Sequence, residues 1–149
     1  MNMQSVKNNV NSIRPKKFRL YELLPPEIYR SEDQGWELLS EKFLITLDVI
    51  RDIIDAPMIC NTWYQGGNRR YCGLRPANCK TGAKNSRHKY GDAGDFLSPN
   101  YTAEEMRQKI IANQHLLPYP IRIEADVDWL LFDCKDMDYK GKKIYLFKA

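Results

Sequence analysis

The chain has 149 residues, 43% of them hydrophobic and 28% charged, and a formal net charge of +4. This length is most simply one domain, and the composition is that of a soluble globular protein. No apolar run approaches the ~20 residues that cross a bilayer, and the N-terminus lacks the apolar core of a signal peptide, which excludes a membrane-spanning protein and argues against Sec-type export.

Residues 1–17 are polar, rich in Asn and without hydrophobic periodicity. The first 19 residues carry five basic side chains and no acidic one. Segments of this composition stay flexible until a partner orders them. We therefore predict a flexible basic arm over residues 1–17 and a folded domain over residues 18–149.

The first half of the domain combines one helical pattern with a long irregular region. Apolar residues recur at spacings of three and four between residues 34 and 54, which predicts a helix. Residues 58–63 are typical of a short buried strand. Residues 66–84 open on two glycines and show no periodicity, and a loop of this length in a small domain is usually functional or disordered.

The second half predicts a helix followed by strands. The capping box Thr102-Ala-Glu-Glu105 begins a helix that ends near residue 114. Residues 121–124 and 128–133 predict a hairpin, and residues 143–147 predict a last strand. The sum is an α+β domain with two main helices on a small, mostly antiparallel sheet.

A second basic segment lies inside the domain. Residues 56–91 contain seven basic side chains and no acidic one. One interpretation is a solvated loop whose lysines provide solubility, and the other is a surface for phosphates or an anionic polymer. Aromatic side chains that could stack on bases interleave with these arginines: they are Trp63, Tyr64, Tyr71 and Tyr90. The four cysteines are expected to be reduced thiols, because no export signal is present.

The most informative segment is Ser86-Arg-His88-Lys-Tyr-Gly91-Asp-Ala93-Gly-Asp95. It places an imidazole and a carboxylate seven residues apart, and both are side chains that hold Zn²⁺ in proteins. Two glycines between them allow the backbone to turn tightly, so that both groups could face one point. Without a metal, the imidazole and the carboxylate could instead pair directly.

This segment resembles, position for position, the Ser-x-His-x-x-Gly-x-Ala-x-Asp signature of the zinc D-Ala-D-Ala carboxypeptidase family, which includes phage L-alanyl-D-glutamate endolysins. Residues 18–29 and 61–75 resemble segments of phage-encoded members. The resemblance implies the DD-peptidase fold over residues 18–148. It also implies that His88 and Asp95 are zinc ligands.

The same resemblance implies two substrate-binding residues and a third zinc ligand. Arg75 falls where the family often places an arginine that binds a peptide carboxylate, and Ser86 is the serine of the motif. The third ligand is normally a histidine on a C-terminal strand, in a Trp-x-His-x-Asp-like pattern. A catalytic carboxylate lies about three residues before that histidine.

This chain departs from the pattern at the third ligand. In Asp128-Trp-Leu-Leu131-Phe-Asp133, the catalytic carboxylate position is held by Asp128, but Leu131 replaces the histidine. Leucine has no lone pair, so His88 and Asp95 alone would hold a metal weakly and polarise water poorly. Asp133 lies two residues along the same strand and could compensate, whereas nothing places His115 near the site.

Three functions follow as expectations. The first is a catalytically impaired, phage-encoded DD-peptidase-fold protein that acts as a virion- or tail-associated structural or peptidoglycan-binding module and whose residues 1–17 contact other phage structural proteins. The second is an active zinc peptidase with the ligands His88, Asp95 and Asp133. The third is a nucleic-acid-binding protein. For the first we expect no bound cofactor, no membrane partner, and a location in the virion or the host cytoplasm.

Overall fold

The computed structural model of the chain describes residues 13–149. This part contains two α-helices and one four-stranded sheet. In chain order the elements are α1 (Glu41–Ile54), β1 (Ala93–Phe96), α2 (Ala103–Ala112), β2 (Ile121–Glu124), β3 (Leu130–Asp133) and β4 (Ile144–Phe147). The predicted α+β class with two helices is thereby confirmed.

Helix α1 begins later than its hydrophobic pattern predicted. Ser40 is the N-cap, and its hydroxyl accepts a hydrogen bond from the Phe43 N–H. Upstream, Gly35 adopts φ 125°, and Trp36–Leu38 forms a separate 3-10 turn. The predicted start at residue 34 is therefore wrong, because a cap and a left-handed glycine both interrupt the helix there.

Helix α2 follows its local signals closely. The Thr102 hydroxyl accepts from the Glu105 N–H, and the Glu105 carboxylate accepts from the Thr102 N–H, which is the predicted capping box. The helix ends at Ala112, and a 3-10 turn over Gln114–Leu116 continues the chain. Two orphan N–H groups at the helix start are satisfied in this way.

The sheet has the strand order β1-β3-β2-β4. Strand β3 pairs antiparallel with both β1 and β2, whereas β4 pairs parallel with β2. The predicted hairpin of β2 and β3 is confirmed, and the parallel β4 makes the sheet mixed. The predicted strand over residues 58–63 is wrong: its only ladder contact among the described residues is the bridge between Ile59 and Leu97.

Alternate residues on the strands face a core or a pocket. The core side of the sheet packs on α1 through aromatic rings: Phe132 of β3 stacks on Phe43 of α1 at 5.3 Å and on Phe96 of β1 at 5.7 Å between ring centroids. All three rings are fully buried. Burial of this kind is the main favourable term in folding. The opposite face of the sheet carries the polar residues described below.

Residues 13–17 lie against the domain, although they were predicted to belong to the flexible arm. Pro15 is buried, the Lys16 N–H donates to Asp48, and the Arg14 guanidinium lies over the Trp36 ring. The rest of the predicted arm, residues 1–12, lies outside the described residues. None of the helices within residues 13–149 is both long and apolar enough to cross a membrane.

Candidate functional site

The pocket face of the sheet carries a row of side chains that crosses all four strands. Asp95 on β1 pairs with Leu131 on β3. The Ile123–Phe132 pairing brings Glu124 on β2 to the other side of Leu131, and Glu124 in turn pairs with Phe147 on β4. These side chains line a pocket of about 360 Å³ together with the loop that carries His88.

His88 is held by a short turn that the motif itself builds. Arg87–Tyr90 forms a 3-10 helix, and the Ser86 hydroxyl accepts from the His88 N–H at 3.3 Å. Gly91 ends the turn at φ 72°, and a Cβ there would lie 2.3 Å from the Leu38 carbonyl oxygen. The motif glycine is thus required both by its left-handed backbone and by this close approach.

The ring of His88 is oriented by a backbone carbonyl. Its Nδ1 lies 2.8 Å from the Gly73 oxygen. A carbonyl oxygen can only accept, so Nδ1 carries the proton and donates it. Nε2 then points at Asp95, with 3.3 Å between Nε2 and Oδ1.

Two acceptor atoms therefore face each other in a buried place. His88 Nε2 and Asp95 Oδ1 are buried and make no hydrogen bond within the described residues. On a neutral ring with its proton on Nδ1, Nε2 has a lone pair, as has the carboxylate oxygen. A proton or another cation between the two atoms would satisfy both, and a metal-ligating histidine is oriented in the same way.

A guanidinium group neutralises the other side of Asp95. Arg75 Nη2 lies 3.5 Å from Asp95 Oδ2, and both side chains are nearly buried. Arg75 also donates from Nε to the Tyr71 carbonyl at 2.7 Å and from Nη1 to the Ser86 hydroxyl at 3.3 Å. The two predicted substrate-binding residues, Arg75 and Ser86, thus line the pocket. Their polar groups already form hydrogen bonds or ion pairs with other residues of the protein.

Leu131 is the residue at which the resemblance predicts a departure from the third zinc ligand. It is directly opposite Asp95 in the β1–β3 ladder and lines the pocket. Asp133 lines the same pocket one row away, but Arg122 holds its carboxylate from Nε at 3.0 and 3.2 Å and from Nη2 at 2.7 Å. The carboxylate predicted to compensate for Leu131 is therefore already in a two-pronged ion pair.

Two other residues considered in the sequence, the predicted catalytic Asp128 and His115, lie outside the pocket. Asp128 is exposed in the β2–β3 connection and lines a separate depression next to α2. His115 lies in the exposed turn after α2, as its sequence position suggested. Neither side chain lines the pocket of His88 and Asp95.

Glu124 belongs to the pocket and was missed by sequence reasoning. It is 7% exposed, and burial raises the pKa of its carboxyl, with the nearby negative charge of Asp95 adding to the rise. Ile121-Arg122-Ile123-Glu124 alternates apolar and charged residues. That alternation in a predicted strand could have placed Glu124 on the same face as Arg122.

The donor set does not fit a three-ligand metal centre. Across residues 13–149, no three His, Cys, Asp or Glu side chains are close enough together to hold one ion. Residues 1–12 contain none of these side-chain types. His88 and Asp95 present two suitable atoms, but a catalytic zinc normally has three protein ligands.

Several arginines of the acid-free segment are committed to internal contacts. Arg69 donates to the carbonyls of Cys60 at 2.7 Å and Asp95 at 3.2 Å. Arg87 forms an ion pair with Asp92 and lies over the Tyr90 ring. These arginines support the loop that carries the motif, so they contribute less to a surface for an anionic polymer than the sequence suggested.

Comparison of the chain with protein-family models, with curated proteins and with solved structures found no match. The resemblance to zinc D-Ala-D-Ala peptidases therefore stays a prediction from the sequence motif and its flanking segments.

Proposed function

We propose that this chain is a catalytically impaired DD-peptidase-fold protein of a bacteriophage that binds peptidoglycan stem peptides. In this proposal it is a virion- or tail-associated module, with residues 1–17 contacting other phage structural proteins. The phage assignment is supported by the resemblance of residues 18–29 and 61–75 to phage-encoded members. Peptide binding is supported by a pocket that is open, mixed in polarity and lined by residues of the motif.

One observation carries the proposal of impaired catalysis. Leu131 stands beside Asp95 in the middle of the pocket row, where the resemblance implies a histidine. An apolar side chain there supplies no ligand and disfavours a hydrated cation. Asp128, the residue at the catalytic carboxylate position, lines a different depression.

Arg75 explains how the motif can persist without a metal. The carboxylate of Asp95 would be costly to bury alone, and the guanidinium of Arg75 supplies a fixed positive charge next to it. In this state Asp95 is neutralised by the protein itself. A peptide carboxylate that used Arg75 would have to compete with Asp95 for the guanidinium.

One observation supports the alternative of an active zinc peptidase. His88 Nε2 and Asp95 Oδ1 are buried, unpaired and aimed at each other, as two ligands of one ion would be. For the third ligand, Asp133 would have to leave Arg122. A cleavage assay therefore accompanies the binding experiment.

The test is calorimetric titration of the protein with the stem pentapeptide L-Ala-γ-D-Glu-L-Lys-D-Ala-D-Ala. We expect saturable binding and, after long incubation with added zinc, an intact peptide by mass spectrometry. Leu131→Trp fills the pocket and should weaken binding at least about tenfold, since it blocks a concave site that complements the ligand.

Leu146→Trp is the matched control, because Leu146 is half-exposed on strand β4 and lies outside the pocket. It should bind the pentapeptide like the unmodified chain. Equal binding by both tryptophan variants would contradict the pocket as the peptide site. Release of D-Ala or of a shorter peptide would support the active-enzyme alternative.

A further inference from the structure

The carboxylates of the pocket differ in whether the protein provides a counter-charge. Asp95 forms an ion pair with Arg75, and Asp133 forms one with Arg122. Among the Asp and Glu side chains that line the pocket in the described chain, Glu124 is the one that forms no ion pair, although the residue is only 7% exposed. Arg107 and Arg122 act on its charge only from beyond ion-pair distance. A largely buried carboxylate without a direct ion-pair partner is costly, so this arrangement favours a positive group that comes from outside.

The surroundings of Glu124 restrict what that group can be. Leu131 and Phe147 flank it on the two neighbouring strands, and Trp129 lines the same pocket with its ring 37% exposed. The ring of Phe147 is already covered by the Arg122 guanidinium at 4.2 Å. A partly exposed indole and an apolar neighbour would accept an aliphatic stem, while the carboxylate would accept the cation at its end.

A bare metal ion suits this place poorly. Ions such as zinc require several protein donors. Within residues 13–149, Glu124 does not belong to any group of three His, Cys, Asp or Glu side chains that could hold one ion. A primary ammonium group needs fewer protein partners, because its three N–H donors can be shared between the carboxylate and water.

We propose that Glu124 binds the ammonium group of a lysine-type diamino acid in the peptide that occupies the pocket. The inference rests on the proposed function and adds the substrate class: stem peptides whose third residue has a free side-chain amine. Leu131 would then contact the aliphatic stem of that residue. The leucine that removes the metal ligand would thus have a binding role of its own.

The test compares two ligands that differ only at the amine. The first is L-Ala-γ-D-Glu-L-Lys-D-Ala-D-Ala, and the second is the same peptide with an Nε-acetyl-lysine. We expect acetylation to weaken binding to the unmodified chain at least about tenfold, because truncating one partner of a buried charge pair has effects of that size or larger. In Glu124→Gln, acetylation should change affinity less than about twofold, as the charge pair is absent from both complexes.

Asp136→Asn is the matched control, because it removes an exposed carboxylate outside the pocket, and it should retain the full effect of acetylation. Equal affinity of both peptides for the unmodified chain would overturn the role of Glu124 and leave peptide binding intact. An effect of acetylation that persists in Glu124→Gln would also overturn it. If neither peptide bound to the unmodified chain or to any of the variants, the proposed function would be overturned, and this inference with it.

Discussion

At the residue scale, the carboxylates of the pocket differ in whether an arginine of the described chain pairs with them. Asp95 and Asp133 are each paired with an arginine, while Glu124 is buried and forms no ion pair within residues 13–149. Such a group lowers the stability of the fold when it is ionised, and binding sites often keep features of this kind at a cost in stability. The stability of the protein should therefore respond to Glu124.

The difference in stability between the unmodified chain and Glu124→Gln should depend on pH. Because the pKa of Glu124 is higher in the folded chain than its ordinary value, the folded state binds the proton more readily than the unfolded state does. The resulting stabilisation is present at pH values below the ordinary carboxyl range and is lost as pH rises through the raised pKa. Glu124→Gln should therefore be more stable than the unmodified chain at pH 7, and the difference should shrink towards about pH 4.

Urea unfolding of both proteins at a series of pH values measures this difference. Asp136→Asn serves again as the control and should show no comparable trend, because its carboxylate is exposed. A Glu124→Gln variant that is less stable at pH 7 would show that the carboxylate has a stabilising partner.

The site residues also show how far single positions could be predicted from the sequence. His88 and Asp95 were identified because the motif has fixed spacing within one short segment, and they do lie 3.3 Å apart. Glu124 was missed because its partners in the pocket come from other strands. The availability of Asp133 could not be judged either, since its ion pair with Arg122 depends on the pairing of β2 and β3.

At the scale of elements, the sequence correctly predicted those helices and strands that depend on interactions between residues close in sequence. The capping box of α2 and the β2–β3 hairpin are set by residues close in sequence. Strand β1 was missed because Ala93-Gly-Asp-Phe96 has a glycine and an aspartate, which are rare in strands. It forms because β3 offers a complete antiparallel partner over all four of its residues.

Arg107 connects helix α2 to the connection between β2 and β3. It is buried, and its guanidinium donates from Nη1 to the Trp129 carbonyl and from Nη2 to the Val127 carbonyl, both at 3.1 Å. It also donates from Nε to Glu104 at 2.7 Å. This side chain positions the segment that ends in Trp129 at the pocket.

Arg107→Met should lower the free energy of unfolding by about 2 kcal/mol or more, because it removes several hydrogen bonds from a charged donor while keeping most of the side-chain volume. Denaturant unfolding at pH 7 measures the change. Glu104→Gln should cost less than about 0.5 kcal/mol, since its carboxylate is 61% exposed. Similar losses in the two variants would mean that the carbonyl contacts of Arg107 contribute little.

At the scale of the whole molecule, the pocket is assembled from parts of the chain that lie far apart in sequence. Residues 73–75 supply the carbonyl that orients His88 and the arginine that neutralises Asp95. The motif supplies the central pair, and strands β2 and β3 supply Leu131 and Glu124. The motif predicted a metal site. What the pocket can bind also depends on Leu131 and Glu124, which only the sheet brings next to the motif.

The central claim of the proposed function is that Leu131 leaves the metal site implied by the motif one ligand short. The measurement that tests it most directly is zinc titration of the purified, metal-free chain beside Leu131→His and His88→Ala. The account predicts no stoichiometric zinc on the unmodified chain and a gain in zinc affinity of at least about tenfold in Leu131→His, which would supply the missing third ligand. One tightly bound zinc per unmodified chain, lost in His88→Ala, would contradict it.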